Sequence, residues 1–305
     1  MKNMKKVSIV FNLYQPKLFL LEKILKSLEN QKNEFKIEIE VVNKKIDEEC
    51  LRLINSFKKR SRKMRINVFE VNENLSFASS MNAGIKKAKN DIVIVLQQDC
   101  IPLGENWLQN LVKPFEDKEI VATVSKVQFP DELWEKLDNF GKAIMLQEKG
   151  TIRPLLDEKG CAYRLTNLSN VGFFNDKDFR TAGEDFDLYI KLKKEGKIGY
   201  PDAAIIHYHP TDFKTRLEKV IQYANGFGTL VRIHGRKMPR WHVGIFKALP
   251  VLGIIPFLIS YPFKKGVSLY PYYTAVIPFM HINYVKGFWK GFFAGSQSVD
   301  VFKKK

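Results

Sequence analysis

Residues 91–102, with the sequence DIVIVLQQDCIP, constrain the fold of this chain more than any other segment. Residues 92–96 form an unbroken apolar run that is mostly β-branched, and a polar cluster ends it. Such a run predicts a strand buried on both faces, as in a parallel sheet. Asp99 follows the carboxyl end of this strand, where open α/β sheets bind ligands. A carboxylate there can hold a divalent cation, and through it a diphosphate. A surface turn closed by Asp99 and Pro102 is the alternative interpretation.

Segments with the apolar periods of strands and helices alternate before this run. They predict strands over residues 7–11, 36–42, 65–71 and 92–96, and helices over residues 18–28, 47–59 and 77–89. Ser76 is the expected cap of the last helix, because serine side chains accept a hydrogen bond from the first turn. Repeated strand, helix and strand is the signature of a doubly wound α/β sheet.

The chain is less regular beyond residue 102. Its apolar spacing predicts a helix over residues 107–118, a strand over 120–127 and a short strand that includes residues 205–206. Residues 131–163 resist assignment, because helical spacing is mixed there with glycines.

The charge of the chain limits its partners. A formal net charge of +17 over 305 residues favours anions, which include nucleic acid, anionic lipid head groups and sugar nucleotides. No helix-turn-helix, zinc-finger or RNA-recognition signature is visible, and the basic residues are spread out, so we expect no nucleic-acid partner. The three cysteines are far apart in sequence, which indicates free thiols in a reducing compartment.

A second informative segment begins with three acids. Glu184, Asp185 and Asp187 stand at the start of a predicted helix, where the helix dipole stabilises negative charge. Ordinary capping of a helix by acids is the alternative interpretation. Farther on, His207 and His209 flank a tyrosine just after the short apolar strand. A lone histidine is usually structural, whereas two at the end of a strand favour a functional role for at least one.

The carboxyl-terminal part of the chain differs in character. Residues 216–240 are basic and partly helical, and two uncharged runs follow at residues 248–263 and 266–285. Prolines interrupt both runs, and Lys264 and Lys265 separate them. Each run is at or below the roughly 20 residues that a helix needs to span a bilayer. A hairpin of two transmembrane spans would also place both lysines on the far side of the membrane, whereas the positive-inside tendency favours lysines on the cytoplasmic side.

We therefore expect the tail to form short helices that lie in the interface of an anionic membrane, with its many aromatic side chains at that depth. True transmembrane spans and a soluble apolar subdomain remain alternatives. The predicted organisation is a catalytic domain over residues 1–212 and a basic, aromatic, helical membrane-associating region over residues 213–305.

Two motifs resemble family 2 glycosyltransferases of the GT-A fold. In that family the pattern Asn-x-Gly, then Ala-x-x-x-Asn-x-Gly, precedes a strand that ends in Asp-x-Asp. This chain has Asn74, then Ala78, Asn82 and Gly84, then a strand followed by Gln97-Gln98-Asp99. Leu75 and Ser76 replace the usual loop residues, and Gln97 replaces the first aspartate.

The acidic segment is similar to the second signature of the family, which reads Gly-Glu-Asp-x-Asp-Leu and continues with a helix, a glycine, a strand and a histidine. Residues 183–188 match that signature. Residues 223–228 resemble a Tyr-x-x-Gly-x-Gly segment of membrane-associated members, which favours their rhamnosyl- or mannosyl-transferring branch. The resemblance implies a GT-A, Rossmann-like and mostly parallel α/β sheet with a helical, membrane-associating tail.

The resemblance also implies a function. It is the inverting, metal-dependent transfer of a sugar from a nucleotide sugar to a hydroxyl. The basic, aromatic tail favours an acceptor carried on the membrane, a lipid-linked glycan or polysaccharide precursor, at the cytoplasmic face of the cell membrane. Asn43 stands where the family has an aspartate that reads the nucleobase, although its carbonyl could still accept a pyrimidine N–H. Because Asn43 and Gln97 depart from the pattern, a catalytically impaired scaffold protein is the alternative. A nucleotidyltransferase would carry a glycine-rich phosphate loop, which residues 12–16 lack.

Site residues follow from the same resemblance. Asp185 would be the catalytic base and Glu184 a neighbour that orients the acceptor. Asp99 would bind Mg²⁺ or Mn²⁺, with His207 or His209 completing the metal shell. The residues expected to contact the nucleotide-sugar donor are Asn12, Asn43, Asn74, Asn82, Gln97 and Gln98.

Overall fold

A computed structural model describes residues 6–32, 35–180, 182–208 and 211–295. The chain forms two compact units that are interleaved in sequence. The sheet unit comprises Met1–Gln128, Thr151–Phe174 and Leu188–Tyr208, and the helical unit comprises Phe129–Gly150, Asn175–Asp187 and His209–Lys305. These units are defined by how residues pack, whereas the predicted domains are defined by their functions. The predicted domain boundary at residue 212 therefore stays a prediction.

The strands of the described residues are β1 (Lys6–Tyr14), β2 (Lys36–Lys45), β3 (Met64–Glu70), β4 (Ile92–Gln97), β5 (Cys100–Pro102), β6 (Ile120–Val124), β7 (Lys126–Gln128), β8 (Thr151–Ile152), β9 (Cys161–Arg164), β10 (Lys197–Gly199) and β11 (Ala204–His207).

The α-helices of the described residues are α1 (Leu18–Glu29), α2 (Glu48–Arg60), α3 (Phe77–Ile85), α4 (Trp107–Val112), α5 (Asp131–Lys136), α6 (Asn139–Met145), α7 (Leu165–Asn170), α8 (Glu184–Glu195), α9 (Phe213–His234), α10 (Trp241–Lys247), α11 (Ile255–Ile259) and α12 (Tyr270–Ala294). Short 3₁₀ turns lie at Lys113–Glu116, Gly235–Lys237, Leu252–Ile254, Phe263–Lys265 and Val267–Leu269.

The larger sheet confirms the predicted α/β fold. Within the described residues it has seven strands in the order β10-β6-β9-β4-β1-β2-β3, and all neighbours are parallel except those of β9. The register sets Asn12 beside Gln97 and Leu13 beside Asn43, so the carboxyl ends of β1, β2 and β4 meet at one edge. A smaller sheet has the order β5-β11-β7-β8.

Strand β4 is buried on both faces, as its sequence predicts. Ile94 and Leu96 pack in a core with α1, α2 and α4, whereas Val93 and Val95 pack in a second core with α3, α7 and α8. Helices therefore cover both faces of the sheet, which is the arrangement that continuous apolar strands require. Ser76 caps α3 by accepting a hydrogen bond from the Ser79 N–H, also as predicted.

Strands β1 and β2 extend beyond their predicted ends at residues 11 and 42, and three other predicted elements end well before their predicted ends or divide. Helix 107–118 ends at Val112 and continues as a 3₁₀ turn that contains Pro114, which has no N–H to donate to the preceding turn. Helix 77–89 ends at Ile85, where tighter hydrogen bonds to the third preceding residue take over. Strand 120–127 divides at Ser125, so β6 joins the larger sheet and β7 joins the smaller one.

The helical unit has an aromatic core and a closely packed helix pair. Its core includes Trp134 of α5, Phe257 of α11 and Tyr273 of α12. Helices α9 and α12 pack through glycines, because a Cβ on Gly228 would lie 2.1 Å from the Phe288 carbonyl oxygen. The described helices include none that combines the length and the apolar character needed to cross a bilayer.

Candidate functional site

The smaller sheet brings Asp99 and His207 together. Strands β5 and β11 pair antiparallel with His207 opposite Cys100, so the residue before Cys100 lies next to the end of β11. The Nε2 of His207 lies 3.3 Å from a carboxylate oxygen of Asp99. The Tyr208 N–H donates to the main-chain oxygen of Asp99 over 2.9 Å, which fixes the turn after β4 to the end of β11. His207 is buried, and Asp99 is partly exposed.

These two residues and Cys100 form a cluster with the spacing of a metal site. One ligand atom from each lies within 4.8 Å of the others. Complete burial raises the pKa of the Cys100 thiol well above its ordinary value, and the charge of Asp99 adds to that effect. Because the thiolate is the form that binds metals, the protonated thiol is a poor ligand. The remaining donors, a carboxylate oxygen and an imidazole nitrogen, suit a divalent cation such as Mn²⁺.

The second histidine of the predicted metal shell, His209, lies outside the described residues. The structure therefore describes Asp99 and His207 of that set, and their role as metal ligands stays a prediction.

The predicted donor-binding residues lie at the carboxyl edge of the larger sheet and on the loops beside it. Asn12 and Gln97 are neighbours across β1 and β4, and Asn43 is nearly buried toward the end of β2. The side chain of Asn12 donates to Ser80 of α3 over 2.7 Å. Asn74 lies exposed on the loop before α3. These residues line the part of the sheet where open α/β folds bind ligands.

Two of the residues predicted to contact the sugar-nucleotide donor make hydrogen bonds with the protein backbone. Gln98 accepts a hydrogen bond from the Tyr14 N–H over 2.8 Å and donates to the Tyr14 carbonyl over 3.0 Å. The buried amide of Asn82 makes a similar pair of bonds with the backbone of Phe174, of 3.1 and 2.8 Å. Both side chains therefore have a positioning role, and a contact with the donor stays a prediction for each.

The predicted catalytic acids lie at the start of α8, in the part that belongs to the helical unit. Gly183 precedes them with a φ of +100°, a conformation that favours glycine. Glu184 is buried, whereas Asp185 is half-buried and its Oδ1 accepts the Phe186 N–H over 2.7 Å. A partly exposed carboxylate can take a proton from a bound hydroxyl.

The structure adds one pair that the sequence did not predict. Asp187 is fully buried, and its Oδ1 lies 2.8 Å from the Nε2 of His234 at the end of α9. A buried carboxylate needs a hydrogen-bonding partner, but the acidic motif does not show which of its acids is buried. Nothing in the local pattern says where along the chain that partner lies.

The fold is that of GT-A glycosyltransferases. The mannosyltransferase PcManGT from Pyrobaculum calidifontis, solved with GDP-Man and Mn²⁺, has a TM-score of 0.63 at 13% identity over 96% of this chain and 88% of its own. GalNAc-T7, solved with UDP, GalNAc and Mn²⁺, has a TM-score of 0.60 at 15% identity over 95% of this chain and 56% of its own. Residues 1–349 of TarS from S. aureus have a TM-score of 0.52 at 15% identity over 93% of this chain and 90% of that structure.

The family follows from the sequence itself. The family model described as glycosyl transferase family 2 matches residues 16–168, about half of the chain, and the chain belongs to this family. It is a glycosyltransferase. No curated protein is similar enough in sequence to count as a match.

Proposed function

We propose that this glycosyltransferase moves a sugar from a nucleotide-sugar donor to a hydroxyl acceptor, with inversion at the anomeric carbon and with help from Mg²⁺ or Mn²⁺. The observation that carries the proposal is the proximity of Asp99 and His207 at 3.3 Å, beside the turn that ends the central strand. Two structures of the same fold contain a nucleotide or nucleotide sugar together with Mn²⁺, which supports the same donor class here.

Asp99 and His207 would hold the cation, since they supply an oxygen and a nitrogen donor and the Cys100 thiol does not compete. A cation bound there would neutralise the charge that develops on the diphosphate leaving group. Asn12, Asn43 and Gln97 at the adjoining strand ends would bind the nucleotide. Amide side chains can both donate to and accept from a nucleobase or ribose, so the departures from the family pattern are compatible with binding.

Asp185 would act as the general base in the same reaction. Its carboxylate would take the proton of the acceptor hydroxyl as that oxygen attacks the anomeric carbon and the bond to the nucleoside diphosphate breaks. Glu184, buried beside it, would orient the acceptor. A single displacement of this kind inverts the configuration of the transferred sugar.

The acceptor that we propose is a lipid-linked glycan or polysaccharide precursor at the cytoplasmic face of the membrane. Support comes from the segment that joins α10 to α12, where apolar side chains are exposed: Val251 at 80%, Ile259 at 77% and Val267 at 67%. Lys264 and Lys265 lie in the same segment. Exposed apolar side chains among lysines are typical of surfaces that insert into an anionic lipid interface.

The metal and donor roles can be tested together by thermal unfolding. We expect one class of sugar nucleotide to raise the melting temperature in the presence of Mn²⁺ and to lose that effect with a chelator, because a ligand that binds only the native state stabilises it. Asp99→Asn should abolish the Mn²⁺-dependent part of the shift.

The neighbouring substitution Cys100→Ser is the matched control. It should preserve the shift, since Mg²⁺ and Mn²⁺ prefer oxygen and nitrogen donors to sulfur. A well-folded wild-type protein that no sugar nucleotide stabilises would contradict the proposed function. Equal shifts for the wild type and Asp99→Asn would refute the assigned metal site.

A further inference from the structure

The segment that carries the predicted catalytic acids is packed tightly against α9 in the helical unit. A Cβ on Gly226 of α9 would lie 2.4 Å from the Ala182 carbonyl oxygen, and a Cβ on Gly183 would lie 3.2 Å from the Gly226 Cα. A real Cβ does not come within 2.4 Å of a backbone oxygen, so glycine is required at position 226, and a Cβ at position 183 would be tightly crowded. The backbone just before Glu184 and Asp185 therefore touches the backbone of α9 directly.

Two charged contacts join the same pieces of chain farther along α9. Arg232 lies 3.5 Å from Asp178, but both side chains are well exposed, and such pairs contribute little. The contact between Asp187 and His234 is different in kind, because Asp187 is fully buried and His234 nearly so. Removing one partner of a buried pair leaves an uncompensated charge, which is strongly destabilising for the local structure.

The hydrogen bond between these two residues has a defined direction. In the tautomer that carries a proton on the Nε2 of His234, that N–H donates to the Oδ1 of Asp187 over 2.8 Å. His234 is the last residue of α9, and Gly235 ends the helix with a φ of +53°. The position of the imidazole is thus set by the end of α9.

Helix α9 is itself held firmly. Asn225 and Thr229 face α12, where the Thr229 hydroxyl donates to the Gly291 carbonyl over 3.1 Å. A Cβ on Gly291 would lie 1.9 Å from the Asn225 carbonyl oxygen, so the two helices are in backbone contact. The contact of His234 with Asp187 therefore joins Asp187 to a closely packed pair of helices.

Asp187 lies two residues after Asp185 in the first turn of α8, and its own N–H donates to the Gly183 carbonyl. We propose that His234 is a positioning residue for the reaction: by holding Asp187, it fixes the first turn of α8 and therefore the direction of the Asp185 carboxylate. Helix α9 is then part of the catalytic apparatus. This inference rests on the proposed function of Asp185 as the base.

The test compares two buried histidines of the same unit. His234→Leu removes the donor to Asp187, whereas His234→Gln retains an N–H at a similar reach. His281 of α12 provides the control, because it is also buried and its Nε2 lies 3.1 Å from an oxygen, here the backbone carbonyl of Leu249 and not a carboxylate. His281→Leu should lower stability without moving α8.

The activity to measure is hydrolysis of the sugar nucleotide that best stabilises the wild-type protein, followed as released nucleoside diphosphate with Mn²⁺. We expect His234→Leu to lower kcat on the order of 10²-fold with little change in KM, because a displacement near 1 Å of a catalytic group has about that effect. His234→Gln should recover most of kcat, and His281→Leu should retain it.

Hydrogen exchange gives a readout that does not depend on activity. The amides of residues 183–188 should exchange faster in His234→Leu than in the wild type, and at the wild-type rate in His281→Leu. Wild-type kcat in His234→Leu, or unchanged exchange over residues 183–188, would overturn the inference. A wild-type protein that binds and hydrolyses no sugar nucleotide would instead contradict the proposed function, while the exchange comparison would still decide the role of His234.

Discussion

Asp185 and Asp187 stand two positions apart in one acidic motif and have opposite surroundings. Asp185 is half-buried and bonded to its neighbour's N–H, whereas Asp187 is fully buried against His234. A carboxylate with access to solvent can exchange protons with a bound acceptor, and a buried, hydrogen-bonded one cannot do so readily. The environment thus differs between the carboxylate that we propose as the base and the one that is held inside the protein.

Asp185→Asn tests the reacting group. We expect kcat to fall by roughly 10²- to 10⁴-fold, the typical contribution of general-base catalysis, because the amide cannot take a proton. The substitution keeps the volume and the acceptor oxygen, so the thermal shift produced by the nucleotide and Mn²⁺ should stay near that of the wild type. Near wild-type turnover would eliminate Asp185 as the base.

At this scale the sequence indicated the individual residues better than their contacts. The alternation of elements placed Asp99, Asn12 and Asn43 just after predicted strands. Asp99 does follow β4, whereas Asn12 and Asn43 lie inside β1 and β2, two residues before each strand ends. The bond between Asp187 and His234 joins parts of the chain that no local period relates. The hydrogen bonds of Gln98 and Asn82 to backbone groups could not be predicted either, because their partners, Tyr14 and Phe174, are distant in sequence.

At the scale of elements, the helix pair α9 and α12 shows how small residues set a packing distance. Gly228 on α9 and Gly287 and Gly291 on α12 all lie where a Cβ would meet the backbone of the other helix. Glycine is unfavourable within a helix by roughly 0.5–1 kcal/mol relative to alanine, so this cost must be offset by close contact between the helices.

The substitution Gly291→Ala tests this argument, because helix propensity and close packing predict opposite signs for the change in the free energy of unfolding. If helix propensity alone mattered, alanine would stabilise the protein by about 1 kcal/mol. We expect destabilisation of about 1–3 kcal/mol, because the added methyl group has to push apart two backbones already in contact. Chemical denaturation of the two proteins decides between these outcomes, and an increase in stability would contradict the packing described here.

Strands buried on both faces and capped helices were predictable, whereas the ends of several elements were not. The division of strand 120–127 at Ser125 depends on the hydrogen bond from its hydroxyl to the Gly160 carbonyl, which is distant in sequence. Residues 131–163 were unassigned for a similar reason, because their helices α5 and α6 are short and are stabilised by packing with α11 and α12.

At the scale of the whole molecule, the charge and the exposed apolar side chains point to the same class of partner. The net charge of +17 favours anionic surfaces, and Val251, Ile259 and Val267 offer apolar side chains for insertion. Each contribution alone is weak, but a lipid interface uses both at once.

The triple substitution Val251→Ser, Ile259→Ser and Val267→Ser should reduce binding to vesicles that contain phosphatidylglycerol, because it removes the inserted groups and leaves the charge intact. Cosedimentation measures the loss, and Leu18→Ser, at an exposed apolar residue of α1 in the sheet unit, is the matched control. Equal binding of the triple variant and the wild type would show that this segment does not contact lipid.

Because the two units are interleaved in sequence, neither can be exchanged as one continuous piece of chain. Because Phe129–Gly150, Asn175–Asp187 and the residues from His209 onward form one unit, no single cut separates it from the other. A chimera that exchanged only the carboxyl-terminal helices with those of a relative would pair a foreign α9 with the native Gly183 and Asp187. Moving this unit between relatives would therefore require transplanting its three discontinuous segments together, and recombination at a single breakpoint would split the unit.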